Sequence, residues 1–383
     1  MQRSGSHRKP EGSSAKRRFL PFLCIAKRVT VRGTAFFSGA VNSNCCRKGA
    51  REQKKINFPW TGFYDKINSI VTVKGETVMK AYFYKEGLWT GRDSFWQALG
   101  LDRRRHAAGY RGDFAETAGD KGGTEGDGTG TAGDKAAGPL VISLTGAGGK
   151  TSTIRRLAYE AGQRGWKVLV VTTTHMACPE DFGIFADDIP AAAMEAAVVV
   201  KKAVSDCLRQ RGLAVVGRRA PKGKIAFIGQ ELYREICPLA DLVLVEADGS
   251  RRLPLKVPGD GEPVIPANSD LILCLSGLSC LGQRAGDCCL RLEQARALMD
   301  LYGRKEYGED GWLIRPEDMM CLMKHGYLDP LRGRWPAADV VPIFNQADTP
   351  EDVKLVREML DGMGEGLGIA SGHLADDRSE GLF

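Results

Sequence analysis

Residues 140–152 read LVISLTGAGGKTS, an apolar run that ends in a glycine-rich turn followed at once by a lysine and a threonine. The next residues, TIRRLAYEAG, have a helical pattern. A buried strand, a glycine loop and a helix N-terminus in this order form a cradle for phosphate groups, because glycines expose backbone N–H groups and the helix start adds partial positive charge. The stretch therefore predicts a strand–loop–helix unit that binds phosphates.

Two side chains of this loop have separate predicted tasks. Lys150 supplies a full positive charge for phosphate oxygens, and the Thr151 hydroxyl is suited to hold Mg²⁺. The full phosphate-loop pattern has a glycine five positions before Gly149, where this chain has Leu144, so the loop is a short form. The predicted nucleotide-binding residues of the loop are Gly146, Ala147, Gly148, Gly149, Lys150, Thr151 and Ser152.

The net charge of +7 in 383 residues is unevenly distributed. Residues 1–78 hold 16 Lys and Arg against 4 Asp and Glu, a balance of +12, which leaves −5 for the other 305 residues. The part that carries the glycine loop is therefore mildly acidic, and nucleic acid is not an expected partner. No apolar run approaches the ~20 residues needed to span a bilayer, so no membrane partner is expected.

The 11 cysteines are odd in number and include no C-x-x-C pair. This pattern is not that of a disulfide framework, and it fits free thiols in a reducing cytosol, which predicts a cytoplasmic protein. The adjacent Cys288 and Cys289 could form a soft-metal or redox site. Neighbouring cysteines chelate one metal poorly, however, which favours buried or partly buried free thiols.

Composition divides the part of the chain before the loop into three segments. Residues 1–78 are basic and lack periodicity, which predicts a disordered extension. The codons implied just before Met79 can contain a ribosome-binding sequence, so a second hypothesis is that translation starts there. Residues 79–102 predict a small helical element, in which Ser94 caps a short helix. Residues 103–138 are rich in Gly, Asp, Thr and Ala, which predicts a disordered linker.

Residues 139–383 alternate strand-like and helical patterns. Several strand-like runs are continuously apolar, as expected for a parallel sheet covered on both faces. The alternation predicts a doubly wound α/β fold with a mostly parallel sheet, a phosphate-loop-like nucleotide-binding domain. The predicted strands are 140–145, 167–172, 213–217, 241–246, 270–275 and 340–344, and the predicted helices are 151–163, 190–210, 229–237, 291–302, 316–324 and 350–361.

Polar residues follow the second and fourth apolar runs, at strand ends where open α/β sheets bind ligands. Thr173 and Thr174 could face a nucleotide or its metal, or could be ordinary β-branched strand residues. Glu246 and Asp248 emerge from the run DLVLVE with one residue between them, and an acidic strand end holds Mg²⁺ or orients water in phosphate-loop enzymes. Arg251 follows, with a guanidinium fork suited to phosphate or carboxylate oxygens.

From these patterns we expect Lys150, Glu246 and Asp248 to serve catalysis, and Thr151 and Asp248 to hold the metal. An Asp-Gly turn is the alternative explanation for Asp248. His175 is either a general base or a surface histidine. Glu262, in the run GEPVIP, could contact a substrate or only close a turn.

The tetrapeptide NQAD at residues 345–348 follows the run VVPIF. It has the form N-x-x-D of proteins that read a guanine base. Asp348 would accept hydrogen bonds from the ring N–H and the exocyclic amine, and Asn345 would bond the other edge of the base. The same tetrapeptide also ends strands and caps helices, so both interpretations are kept.

Together these motifs resemble the YqeC family of selenium-dependent hydroxylase accessory, or selenium cofactor biosynthesis, proteins. The matching pieces TGAGGKTS, KVLVVTTTHM, LVLVEADGSRRLPLKVP, GEPVIP and FNQAD occur in the family's order between about Phe95 and Asp348. The resemblance implies an accessory protein that binds ATP or GTP with Mg²⁺. It also implies a partner, a molybdenum hydroxylase that needs a labile selenium cofactor.

The resemblance implies roles for single residues as well. The loop from Gly146 to Thr151 would bind nucleotide phosphates, Glu246 and Asp248 would serve the metal or catalysis, and Asn345 and Asp348 would lie near a base or in the substrate cleft. The loop also looks like the ATP loop of Mur-type ligases. The alternatives are therefore an ATP-dependent ligase that forms an acyl-phosphate, and a non-enzymatic nucleotide-gated carrier or chaperone.

Overall fold

The structure is a computed structural model, and it describes residues 81–85, 88–92, 94–102, 138–179, 183–188, 193–302, 312–372 and 382–383. The predicted extension 1–78, the hypothetical start Met79 and nearly all of the predicted linker 103–138 lie outside the described residues. In the described part, no helix is long and apolar enough to cross a lipid bilayer.

The described chain forms strands and helices in alternation. The strands are β1 (Ala81–Lys85), β2 (Leu88–Arg92), β3 (Leu140–Gly146), β4 (Val168–Thr172), β5 (His175–Ala177), β6 (Gly183–Phe185), β7 (Leu213–Ala220), β8 (Lys224–Ala226), β9 (Leu242–Glu246), β10 (Leu255–Lys256), β11 (Leu271–Gly277), β12 (Cys289–Leu290), β13 (Asp339–Asn345) and β14 (Leu367–Ser371). The α-helices are α1 (Phe95–Ala98), α2 (Lys150–Gly162), α3 (Ala193–Arg211), α4 (Gln230–Ile236), α5 (Ala285–Cys288), α6 (Leu292–Leu301), α7 (Pro316–Met323), α8 (Asp329–Arg334) and α9 (Pro350–Met363).

Twelve strands form the main sheet, in the order β2-β1-β14-β13-β11-β3-β9-β4-β7-β8-β5, with β6 beside β7. The central strands from β14 to β7 are parallel. Antiparallel pairs extend both edges, β2-β1-β14 at one and β7-β8-β5 at the other. The prediction of an α/β fold with a mostly parallel sheet is confirmed, and the antiparallel edges are an addition to it.

The apolar runs are buried as their continuity indicated. Every residue of β3, β4, β9 and β11 is buried. Alternate residues of β3 contribute to different cores, because Ile142 shares an apolar cluster with Leu157 of α2, and Val141 shares another with Val204 of α3. Helices therefore cover both faces of the sheet, which is the arrangement that a parallel sheet requires.

Strand register brings the predicted site residues to one end of the main sheet. Leu144 of β3 pairs with Glu246 of β9, which pairs in turn with Thr172 of β4. On the other side of β3, Gly146 pairs with Leu275 of β11. Because these strands are parallel, their carboxyl ends point the same way, and the loops that follow them surround one cleft.

Some predicted elements need correction. Strands β1 and β2 lie in the segment 79–102, where the sequence predicts only a small helical element, and β14 follows the last predicted strand. Each of these strands is short, and β14 (LGIAS) has no continuous apolar run, so local patterns do not identify them. The start of α9 agrees with the sequence, since Thr349 is its N-cap and Pro350 its first residue.

Helix α1 is anchored to the rest of the fold by one carboxylate. Ser94 is its N-cap, as predicted. The buried Glu160 of α2 accepts hydrogen bonds from Ser94 Oγ (2.7 Å) and from the backbone N–H groups of Phe95 (3.1 Å) and Trp96 (2.7 Å). The Nε of Arg156 lies 2.5 Å from the same carboxylate. Since the first N–H groups of a helix have no partner inside it, Glu160 acts as an anionic cap supplied by another helix.

We expect the Glu160→Gln variant to be less stable, because Arg156 would lose its buried counter-charge. Breaking a buried ion pair in this way costs about 3 kcal/mol of the free energy of unfolding or more. Urea denaturation followed by circular dichroism measures the loss. The exposed Glu231→Gln on α4 is the matched control, with an expected change within about 0.5 kcal/mol. Equal stabilities of the two variants would contradict the anchoring role.

Candidate functional site

The phosphate loop, residues 146–151, joins the end of β3 to the start of α2. Gly146 and Gly149 have φ values of +92° and +122°, a region that favours glycine. A Cβ at Gly146 would lie 2.2 Å from the carbonyl oxygen of Leu275, and a Cβ at Gly149 would lie 2.4 Å from Asn345 Nδ2. The loop backbone is thus pressed against β11 and β13, and only glycine allows both contacts.

The phosphate loop opens into a cleft of about 530 Å³, a volume typical of small-molecule sites. Its lining includes the loop residues from Gly148 to Ser152 and Glu246 at the end of β9. Residues 249–254, His175–Ala177 of β5 and the turn residues 222–224 between β7 and β8 form the other walls. The structure therefore brings the phosphate loop, the end of the acidic strand and several cations to one cavity.

Thr151 and Glu246 are paired at the floor of this cleft. The Thr151 hydroxyl donates to Glu246 Oε2 at 3.0 Å. Glu246 lines the cleft although its residue is only 6% exposed. Burial raises the pKa of its carboxyl because desolvation disfavours the charge, while Lys150 opposes the shift. Hydroxyl and carboxylate oxygens are ligands that Mg²⁺ accepts, so these two side chains fit the metal that the loop implies.

Asp248 does not have the position expected of a metal ligand. It is fully buried and is not among the residues that line the cleft. Its Oδ2 accepts hydrogen bonds from Thr145 Oγ1 (2.8 Å), the Gly146 N–H (3.1 Å) and Lys256 Nζ (2.8 Å), and its Oδ1 lies 3.1 Å from Lys150 Nζ. The structure corrects the assignment of the metal to Asp248, because its oxygens are engaged inside the protein.

Asp248 joins two lysines in a charge chain, Lys150–Asp248–Lys256–Glu262–Arg291, whose first three members are buried. Lys256 Nζ lies 2.6 Å from Glu262 Oε2, and an Arg291 guanidinium nitrogen lies 2.8 Å from Glu262 Oε1. Desolvation alone would raise the pKa of Glu262, but hydrogen bonds from Arg291 and Lys256 hold it below its usual value. Of the two interpretations of Glu262, this favours the structural one, since its carboxylate is paired with the buried Lys256 and the partly exposed Arg291.

Both ends of the Asn345 amide are bonded inside the protein. Nδ2 donates to the carbonyl oxygen of Gly148 at 2.9 Å, and Oδ1 accepts from Ser371 Oγ. Asp348 is exposed, and its backbone N–H donates to Asp352 in the first turn of α9. Neither Asn345 nor Asp348 is among the cleft-lining residues. The structure corrects the base-reading interpretation in favour of the alternative, a strand end followed by a helix start.

The predicted threonines, Thr173 and Thr174, lie in the loop between β4 and β5. The Thr173 hydroxyl donates to the carbonyl oxygen of Val264 at 2.7 Å. The Thr174 Oγ1 is buried and has no hydrogen-bond partner among the described residues. Neither is a lining residue, whereas the exposed His175 is. Direct contact of Thr173 and Thr174 with a ligand is therefore not what this geometry favours.

Some lining residues were not among the predicted site residues, including Lys222, Lys224 and also Gln346, which lies inside the tetrapeptide NQAD. Lys222 lies in the turn between β7 and β8, Lys224 is the first residue of β8, and Gln346 follows β13. The Oε1 of Gln346 accepts from the Ser279 N–H at 3.1 Å. The Pro-Lys-Gly run at 221–223 is a turn signal between two strands, and it could have indicated the hairpin but not its place beside the phosphate loop.

The adjacent cysteines are buried free thiols, as predicted. Burial raises the pKa of Cys288 to about 11 and that of Cys289 to about 12, so both are protonated near neutral pH. Across the described ranges, no group of three or more His, Cys, Asp or Glu side chains is placed to hold a metal ion.

Comparison with known proteins supports the family resemblance. Residues 142–293 match the family model described as YqeC protein. The chain is 36% identical over 150 residues to the "Uncharacterized protein YqeC" of Escherichia coli (strain K12). This alignment covers 38% of this chain and 55% of the relative, so the chain spans about half the length of the curated relative that it matches.

Two solved structures are similar to parts of the chain. One is the signal recognition particle 54 kDa protein of Aeropyrum pernix K1 in complex with GDP, with 14% identity and a TM-score of 0.27 over 63% of this chain and 44% of that chain. The other is LpxK of Aquifex aeolicus in complex with ATP, with 12% identity and a TM-score of 0.20 over 57% and 50%. These scores are too low to support an inference about function.

The Asp248→Asn variant should unfold more readily, because Lys150 and Lys256 would keep their burial and lose the charge that they share. The expected loss is about 3 to 5 kcal/mol of the free energy of unfolding, measured by urea denaturation. Asp206→Asn removes one partner of the surface pair with Arg209 and should cost less than about 1 kcal/mol. Similar losses of stability in the two variants would refute the role of Asp248 as the shared counter-ion of Lys150 and Lys256.

Proposed function

We propose, from the match of residues 142–293 to the YqeC family model, that this chain binds the phosphates of ATP or GTP with Mg²⁺ in the cleft beside the phosphate loop. The observation that carries the proposal is the 3.0 Å hydrogen bond between Thr151 and Glu246 beside that loop. Phosphate-loop enzymes hold Mg²⁺ next to the phosphates with such a hydroxyl and an acidic strand end.

The start of α2 favours an anion. The first N–H groups of the helix have no acceptor within it, and its first turn carries no acidic residue that would compete with a phosphate. Lys150 stands at the first position of this helix, with its Nζ bonded to the Gly146 carbonyl and to Asp248. When Lys150 turns from Asp248 toward a phosphate, Lys256 remains paired with Asp248. The Asp248 carboxylate is therefore not left buried without a counter-charge.

Glu246 takes the metal role in this proposal, together with Thr151. Bound Mg²⁺ supplies charge neutralisation for the phosphate oxygens. Because Glu246 is buried, its carboxylate meets little competition from water and has a fixed orientation toward Thr151. Asp248 acts through Lys150, by fixing the position of the lysine, and is therefore a positioning residue.

We further propose the biological role that the family resemblance implies. The protein would assist maturation of the selenium cofactor of a molybdenum hydroxylase in the cytoplasm, and that hydroxylase would be its partner. The support for this role is the match of residues 142–293 to the YqeC family model. The geometry of the cleft supports only the binding of a nucleotide.

Two alternatives use the same cleft differently. An ATP-dependent ligase would transfer a phosphoryl group to a carboxylate, which gives ADP and an acyl-phosphate. Phosphate would leave when an amine or water attacks the acyl carbon, and therefore only when an acid is present. A nucleotide-gated carrier or chaperone would bind the nucleotide tightly without turnover. Phosphate release by the purified full chain, with and without candidate small acids, separates both from simple nucleotide hydrolysis.

Lys150→Ala should weaken nucleotide binding by at least about 2 kcal/mol, roughly thirtyfold in Kd, because a charged contact to phosphate is lost. Isothermal titration calorimetry with ATP and GTP measures the change. Lys167→Ala is the control, since Lys167 is an exposed lysine next to the opposite end of β4. Unchanged affinity in a folded Lys150→Ala protein would remove the phosphate-cradle assignment.

Mg²⁺-dependent nucleotide binding should decline on acidification at a higher pH than an ordinary glutamate, with its pKa of about 4.3, would cause. The pKa of Glu246 is raised, so as the pH falls this carboxyl is protonated before ordinary glutamates are and loses the charge that holds the metal. Titrations at several pH values, with Mg²⁺ and with EDTA, measure the effect. Glu246→Gln should abolish the Mg²⁺ dependence at every pH, and a variant that keeps it would exclude Glu246 as a ligand.

A further inference from the structure

We propose that the cleft binds a second anionic ligand beside the nucleotide, a small molecule that carries a phosphate group. Its site is the basic wall, formed by Lys222, Lys224, Arg251 and Arg252. This inference rests on the proposed nucleotide site, because it assumes that the nucleotide phosphates take the phosphate loop. It assigns Arg251, which the sequence analysis gave to the nucleotide, to the second ligand.

The charge of the cleft exceeds what the nucleotide site needs. Besides the basic wall, the lining contains Lys150, Arg155 and His175, and its carboxylate is Glu246. Mg²⁺ would add two further positive charges when the nucleotide binds, so the metal and Lys150 offset much of the phosphate charge. The basic wall then stays cationic and attracts another anion.

Most of the basic wall has no counter-ion. In the part of the chain that the structure describes, no carboxylate pairs with Lys222, Arg251 or Arg252. The neighbouring Arg219, on β7, is paired with Asp188 at 2.7 Å, so this region does supply partners for other cations. Lys224 is close enough to Glu246 to oppose the rise in the pKa of that buried carboxyl. Three cations of the wall are therefore available to a ligand.

Backbone geometry is an independent observation for the same wall. Lys222 (φ +64°), Arg251 (φ +52°) and Arg252 (φ +64°) all have left-handed backbone conformations. Gln346, another lining residue, shares the conformation, and so does Arg291 of the charge chain described above. Long side chains rarely adopt this region, and such strain persists where the surrounding fold imposes it, often at binding sites. The fold thus holds three cations at the cleft in a conformation that their residue types disfavour.

The composition of the wall indicates the class of ligand. Guanidinium groups bind oxyanions through paired N–H donors, and two consecutive arginines provide two such groups. Together with Lys222 they offer three full positive charges, which match a phosphate monoester of about −2 charge better than a single carboxylate. All three side chains are exposed, so the site is open to a ligand from solution.

The test measures phosphate binding to the full chain saturated with Mg²⁺ and a nucleoside diphosphate. Inorganic phosphate is the probe, and calorimetry gives its Kd. We expect the Arg251→Gln/Arg252→Gln variant to bind phosphate at least about tenfold more weakly than the natural chain, as for lost charged hydrogen bonds, with its diphosphate affinity almost unchanged. Arg218→Gln replaces an exposed arginine outside the cleft and should change neither affinity.

Three results would overturn the proposal. The first is equal phosphate affinity in the natural chain and the double variant. The second is a loss of affinity for nucleoside triphosphate in the double variant that is much larger than its loss of affinity for nucleoside diphosphate. The basic wall would then hold the third phosphate of the nucleotide itself. The third is binding of acetate as tight as that of phosphate, which would refute the phosphate class.

The Lys150→Ala variant tests the basic wall independently of the proposed nucleotide site. With the phosphate loop disabled and no nucleotide present, phosphate should still bind, and adding Arg251→Gln and Arg252→Gln should remove it. That result supports the basic wall even if the nucleotide site fails its own test. Absence of phosphate binding to a folded Lys150→Ala protein would overturn the basic wall while leaving the nucleotide site to be judged separately.

Discussion

A carboxylate shared by two buried lysines holds this site together. Asp248 contacts the end of β3, the lysine of the phosphate loop and Lys256 at once, and all of its partners lie away from water. A buried charge without a partner is strongly unfavourable, so these three parts of the chain are stable only when assembled around one another. The shape of the phosphate loop therefore depends on residues far from it in sequence.

The same loop is held from two further sides. Asn345, at the end of β13, does not line the cleft, and its amide donates a hydrogen bond to the Gly148 carbonyl oxygen. Glu246, at the end of β9, accepts a hydrogen bond from the Thr151 hydroxyl. A binding loop that is already ordered does not lose affinity to the entropy of ordering. The hydrogen bonds thus order the phosphate loop, whereas the exposed cations lie on the other walls of the cleft.

Local patterns in the sequence were enough to predict the parallel core, the phosphate loop and the acidic strand end at Glu246, because each depends on adjacent residues. The contacts of Asp248 and Asn345 do not favour the metal and base-reading tasks predicted for them, because these contacts depend on which strands lie side by side. The register that pairs Gly277 with Asn345 brings that amide against the phosphate loop, and no pattern near Asn345 records it. The edge strands were missed for a related reason, because β1 is recognisable only beside β14.

That edge pairing has a consequence for solubility. Strand β14 is largely buried and apolar, and its free side is covered by β1, which is covered in turn by β2. An uncovered β14 would present a row of unpaired backbone groups on which another chain could add a strand. Pairing with β1 thus gives the backbone groups on that side of β14 their partners within this chain and removes β14 as a site of self-association.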